Sequence, residues 1–95
     1  MKKLVFSPAA IADIHKIWNY TAERWGMDQA DQYTDTIQDA CYALTKGIRT
    51  GRKVDIRAGY LKYLVGSHMI YYKQELSRIN VVRILHGQMD IEIHL

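Results

Sequence analysis

The C-terminal half of this 95-residue sequence is rich in the side-chain types that act on a phosphate group, among them Arg57, Lys62, Arg83 and His86. Cleaving an RNA backbone by its own 2′-hydroxyl needs a base for that hydroxyl, an acid for the leaving oxygen, and cations for the charge that builds around phosphorus. Arginine and lysine supply the cations. A base is missing from the pattern, because the acids fall mostly in the helical half of the chain. Strand alternation also groups Arg83 with Val81 and Leu85, and sends His86 to the opposite face with Val82 and Ile84. The two would meet side by side only if a bulge intervened. Nuclease chemistry is under-equipped.

The other reactive side chains offer less. Cys41 falls on the apolar stripe of a predicted helix, where a thiol is buried and inert, and a lone cysteine excludes an intramolecular disulfide. Four dispersed histidines and one cysteine lack the ligand spacing of a metal site, and no cofactor is expected. His15 reads as a surface residue, His94 as part of a tail, and His68 as a ring satisfied by the turn it follows. Tyr60, Tyr63, Tyr71 and Tyr72 could stack on bases, but at strand spacing they read first as cross-strand packing.

The elements that must position these residues are legible from their signals. Leu4-Val5-Phe6 is a short strand. Ser7-Pro8 then reads as a helix N-cap followed by a first helical residue that has no N–H to waste. Ala10, Ile11, Ile14, Ile17, Trp18, Thr21 and Trp25 recur at three- and four-residue spacing in an amphipathic helix ending at Gly26. Asp28 can cap a second helix with the stripe Ala30, Tyr33, Ile37, Ala40, Cys41 and Leu44, ending near Lys46-Gly47. Thr50-Gly51-Arg52 is a loop, and Val54 to Arg57 a short extended piece. Tyr60 to Val65, His68 to Lys73 and Ile79 to His86 are three antiparallel strands, the first two joined by the Gly66-Ser67 turn. The order β-α-α-β-β-β describes a single α+β domain over residues 1–95: an N-terminal strand, an antiparallel helix hairpin, then a three-stranded antiparallel sheet carrying the hairpin on one face. The other face is expected to be a solvated functional surface.

Charge divides the chain. Residues 13 to 39 carry a balance of −4 and residues 46 to 83 a balance of +7, within a net charge of +3. The basic half suits an acidic partner, whether nucleic acid, a nucleic-acid enzyme or an acidic peptide, although a solvated basic surface explains the same numbers. No apolar run approaches a membrane span, and Met1 to Phe6 is too short for a signal peptide, so a cytoplasmic location is expected.

Several stretches in order resemble the ParE toxins of bacterial toxin–antitoxin pairs, within the wider RelE/ParE superfamily. Ser7-Pro8-Ala9-Ala10 with Asp13-Ile14 and Ile17-Trp18 is similar to the family's opening helix. Trp25-Gly26 with Gln29-Ala30 and Tyr33 resembles its helix junction. Ile56-Arg57, Gly59-Tyr60, then Val65-Gly66-Ser67-His68 with Ile70 and Tyr72 resemble its sheet entry and hairpin. Arg83-Ile84-Leu85-His86 with Met89-Asp90 is similar to its C-terminal signature. Two positions depart: Leu61 stands where the family commonly has arginine, and Gln88 where it often has a base. The resemblance implies that the first strand pairs with the last. It implies a toxin that inhibits DNA gyrase by binding rather than catalysis, with Arg57, Lys62, Arg83, His86, Met89 and Asp90 as the residues of toxicity. A ParD-like antitoxin would form a hetero-oligomer with it over Ile14, Trp18, Trp25, Tyr33 and Ile37, although Trp18 and Trp25 also read as hairpin packing. Neither a membrane nor direct nucleic-acid contact is implied. The rivals within the superfamily are a RelE-like ribosome-dependent mRNA endonuclease, whose residues would be Arg57, Lys62, Arg83 and His86, and a non-toxic relative that only binds an antitoxin.

Overall fold

The computed structural model describes residues 2–55 and 57–87. Strand β1 (Lys3–Phe6) leads into helices α1 (Pro8–Trp25) and α2 (Met27–Thr45), followed by β2 (Arg52–Lys53), β3 (Leu61–Val65), β4 (His68–Gln74) and β5 (Arg78–His86). The five strands form one sheet in the order β1-β5-β4-β3-β2. β1 runs parallel to β5, pairing Leu4 with Ile79 and Phe6 with Val81, and every other neighbour is antiparallel. Both helices pack on one face, so the α+β architecture is as the sequence implies, and the pairing of first strand with last is as the resemblance implies.

Local chemistry explains the boundaries. Ser7 caps α1 by accepting the Ala10 N–H at 3.0 Å, with Pro8 at the first helical position. The helices meet at a single residue. Gly26 ends α1 by donating to Ala22 O, and with φ 93° and ψ 166° it occupies a region of backbone space open essentially to glycine alone. It also opens α2, which has no side-chain cap; Asp28 sits in the first turn, where it favours the helix dipole, rather than capping as expected.

The main core joins the α1 stripe (Ala10, Ile17) and the α2 stripe (Ile37, Cys41, Leu44) to Ile70, Tyr72, Ile79, Val81 and Ile84 on the sheet. Thr21 and Thr34, both buried in the hairpin, turn their hydroxyls back to the carbonyls of Ile17 and Ala30, so neither leaves an unsatisfied group.

Three expectations change. The extended piece expected at Val54 to Arg57 is instead β2 at Arg52–Lys53, one residue inside the predicted loop, and Ile56 lies outside the described residues. The outer sheet face is not simply solvated, because Val54, Tyr71 and Leu85 are buried there with Tyr60 and Met69 against them. A bulge does interrupt β5: Tyr71 faces Arg83 while Tyr72 faces Val81, leaving Val82 as the extra residue. Val81 therefore turns to the core side rather than joining Arg83. Both Arg83 and His86 follow the bulge, so they keep opposite faces.

Candidate functional site

Arg83 is tied down. β1 covers β5 only as far as Val81, and beyond it the backbone of β5 has an open edge. The start of α1 fills that edge: Ser7 N–H donates to Val81 O at 2.9 Å and Ser7 Oγ donates to Val82 O at 2.6 Å. Asp13 completes the patch. Its Oδ2 accepts the Ile84 N–H at 2.9 Å and Arg83 Nε at 2.8 Å, while Oδ1 accepts Arg83 Nη2 at 2.9 Å. The carboxylate stands in for a missing strand, and the two-pronged pairing is the strong form of this ion pair. Hydrogen bonding to Asp13 raises the Arg83 pKa, against the opposing effect of burial.

A second cluster lies where the helix hairpin meets the β3–β4 turn. Tyr33 Oη sits 2.7 Å from His68 Nδ1, accepts the Ser67 N–H at 3.1 Å, and lies 3.4 Å from Val65 O. Burial, followed by the neighbouring His86, lowers the His68 pKa, with Asp13 pulling the other way. A neutral ring leaves Nδ1 free to accept the tyrosine hydroxyl. His86, directly across the strand pair, places its ring edge-on at 5.5 Å from that of His68. The turn is built around this contact: Gly66 has φ 57°, and a Cβ there would fall 2.8 Å from the Tyr33 ring. Beside the cluster opens a hollow of about 380 Å³ bounded by Tyr20, Trp25, Gln29, Tyr33, His68 and His86. Its rim is apolar and exposed. Trp25 is 64% accessible, and Tyr20 packs edge-on to it with the Arg24 guanidinium 4.8 Å over the Tyr20 ring; Met27, at the start of α2, is 66% accessible.

The outer sheet face carries the remaining bases. Lys62 pairs in register with Tyr71 on one side and Arg52 on the other, and Lys73 and Arg57 approach the ring of Tyr60 at 4.8 and 5.9 Å.

Comparison with known proteins interprets this arrangement. Residues 4–91 match the sequence model of the ParE toxin of type II toxin–antitoxin systems. The chain belongs to the ParE toxin family. It is 42% identical over 95 residues to Toxin ParE1 of Mycobacterium tuberculosis, covering 98% of this chain and 97% of that one. It is 33% identical to Toxin ParE1 of Caulobacter vibrioides, over 100% and 99% of the two chains. Its fold matches a chain of a chromosomal ParDE TA system from P. aeruginosa with a TM-score of 0.80 at 18% identity, over 90% of this chain and 96% of the other.

Within this ParE toxin, those of the residues expected to act together that are described do not form one site. Arg57 and Lys62 share the outer face, Arg83 is held at the sheet's open edge by Asp13, and His86 lies on the helix side against His68. Met89 and Asp90 lie outside the described residues. Of the residues expected to meet the antitoxin, Trp25 is broadly exposed, which overturns its reading as packing. Trp18 is partly covered and donates Nε1–H to Asp31 Oδ1 at 2.8 Å. Ile14 and Tyr33 are partly buried against the core, and Ile37 has no accessible surface, so it can serve a partner only by holding the hairpin in shape. His68 is held by a tyrosine rather than by turn backbone alone. Cys41 is buried, and desolvation pushes its thiol up to about 12, which makes it inert at neutral pH. Leu61, the departure from the family's arginine, points inward with Tyr72 and packs against the main core, so its side chain never belonged to the outer cationic face.

Sequence reasoning missed Asp13, Tyr20, Met27 and Arg52. Asp13 had a signal: it occupies the buried stripe Ala10, Asp13, Ile17, Thr21, and an acid on a core-facing stripe demands a buried partner. Arg52 had none, because a two-residue strand inside a polar loop leaves no period to read.

Proposed function

We propose that this toxin acts by binding, that its target is DNA gyrase, and that a ParD-like antitoxin neutralises it. The observation that supports binding over catalysis is the separation of the candidate groups among the described residues. The cations of Arg57 and Lys62 face outward, the Arg83 guanidinium is engaged by a buried carboxylate, and the two histidine rings lie on the helix side of the sheet. A phosphoryl-transfer site needs a base, an acid and cations within hydrogen-bond reach of one reacting atom. A surface that clamps another macromolecule does not. The same division supports the antitoxin assignment: the exposed aromatic rim of the hairpin and the hollow behind it offer apolar ground to a segment that folds as it binds.

A gel assay tests the target. Purified toxin added to gyrase and supercoiled plasmid is expected to accumulate cleaved DNA or to block supercoiling. Codon-specific cuts in ribosome-bound mRNA, with gyrase unaffected, would overturn the assignment in favour of ribosome-dependent nuclease action.

A further inference from the structure

Arg52 and Lys62 are direct cross-strand partners, which places two positive side chains on the same outer face at roughly 5 Å between Cβ atoms. Like charges set opposite one another destabilise a strand pair unless something negative lies between them. Among the described residues neither takes part in an ion pair; the pairs present are Arg78 with Glu75 and Arg83 with Asp13. The two flank a hollow of about 220 Å³ whose lining includes Thr50 and Met69 and no carboxylate. One row further along the sheet, Lys73 and Arg57 are drawn to the same ring, that of Tyr60, so two more cations are held close together. Gly51 N–H donates to Tyr72 Oη at 2.8 Å, which pins the chain just before Arg52 and fixes the cation pair in register.

We propose that this outer corner, from β2 across β3 to β4, binds the phosphodiester backbone of a nucleic-acid strand, with Arg52 and Lys62 sharing one phosphate at the hollow and Lys73 and Arg57 serving others. The cations run across the strands, not along one edge. An acidic peptide gains most by adding itself to an edge through backbone hydrogen bonds, and a chain lying across a sheet face has no such ladder to join. A strand bearing charge on every unit needs none, because counterion release supplies its affinity. The inference does not depend on gyrase being the target.

The test is fluorescence anisotropy of a labelled oligothymidylate titrated with the toxin alone over a series of salt concentrations. Changing Arg52→Ala together with Lys62→Ala is expected to weaken binding about tenfold or more. It should also flatten the slope of log affinity against log salt by ~0.7 for each phosphate on the single strand that is no longer neutralised. Arg52→Glu gives the same direction while replacing a repulsive strand pair with an attractive one, so weaker binding there does not come from unfolding. Lys16→Ala with Arg24→Ala, on the helix hairpin, should leave both quantities unchanged. The proposal falls if the unaltered toxin does not bind at low salt, or if the two double variants lose affinity equally. It also falls if the Arg52 and Lys62 changes weaken binding of a labelled polyglutamate and leave the oligothymidylate untouched.

Discussion

At the residue scale the decisive contact is Asp13 with Arg83, and its consequence is that Arg83 must be judged first as a structural residue. Asp13 has a side-chain accessibility of 6% and Arg83 of 22%, so removing the guanidinium leaves a carboxylate buried with one backbone N–H for company. Breaking a buried pair from one side costs about 3–5 kcal/mol. Arg83→Ala is therefore expected to lower unfolding free energy by about that amount in urea titration, and Arg83→Lys to recover part of it without the two-pronged geometry. A loss of toxicity in Arg83→Ala would then report instability before any contact with a target. His68 gives a second prediction, with a definite sign. Its folded pKa lies below the ordinary 6.5, so the unfolded chain binds the proton more readily. The His68 contribution is complete above that value and is lost as pH falls through 6.5 toward the folded pKa. Urea midpoints measured between about pH 7.5 and 5 should decline on the acid side, and His68→Gln should flatten the decline. An unchanged slope in the variant would assign the effect to another group.

At the scale of elements, the joint at Gly26 carries more than its size suggests. One residue both closes α1 and opens α2, and no atom stands within 4 Å of where a Cβ would be built. Gly26→Ala thus isolates the backbone cost of a glycine-only conformation, about 1–3 kcal/mol, with no steric clash to confuse it. Thermal unfolding should show that drop in stability at an exposed position, where alanine would ordinarily be neutral. Glycine-terminated helices, the Ser7-Pro8 cap and the two-residue turn after Val65 are all readable from sequence, because each has a local chemical cause. So is the pairing of β1 with β5, through resemblance. The bulge at Val82 is not readable, since its cause is distant: Ser7 and Asp13 reach across from α1 to satisfy the edge of β5. The site suffers for the same reason. Alternation read through the bulge misplaces Val81, and Ile37 looks like a contact for a partner because periodicity tells that a face is apolar without telling what covers it.

At the scale of the molecule, the two halves of the charge distribution become two different kinds of surface. The hairpin, acidic in sequence, ends in the exposed pair Tyr20 and Trp25, with Met27 also exposed, while the far sheet corner gathers bases with no acid in its hollow. The physical forces at the two places differ in their response to salt. Apolar burial is nearly indifferent to ionic strength, whereas attractions between exposed charges fade over a Debye length that shortens as salt rises. Affinity for the antitoxin, if it docks at the aromatic rim as proposed, should therefore rest on a few large side chains and survive high salt. Trp25→Ala, removing a tryptophan at the centre of that rim, is expected to weaken antitoxin binding by about 2 kcal/mol or more, in the range of an interface hot spot. Calorimetry at low and high salt should give nearly the same weakening, and urea unfolding of the free toxin should be unchanged, because Trp25 is mostly in solvent. A weakening confined to low salt would move the antitoxin to the cationic corner, and none at either salt would remove the hairpin tip from the interface.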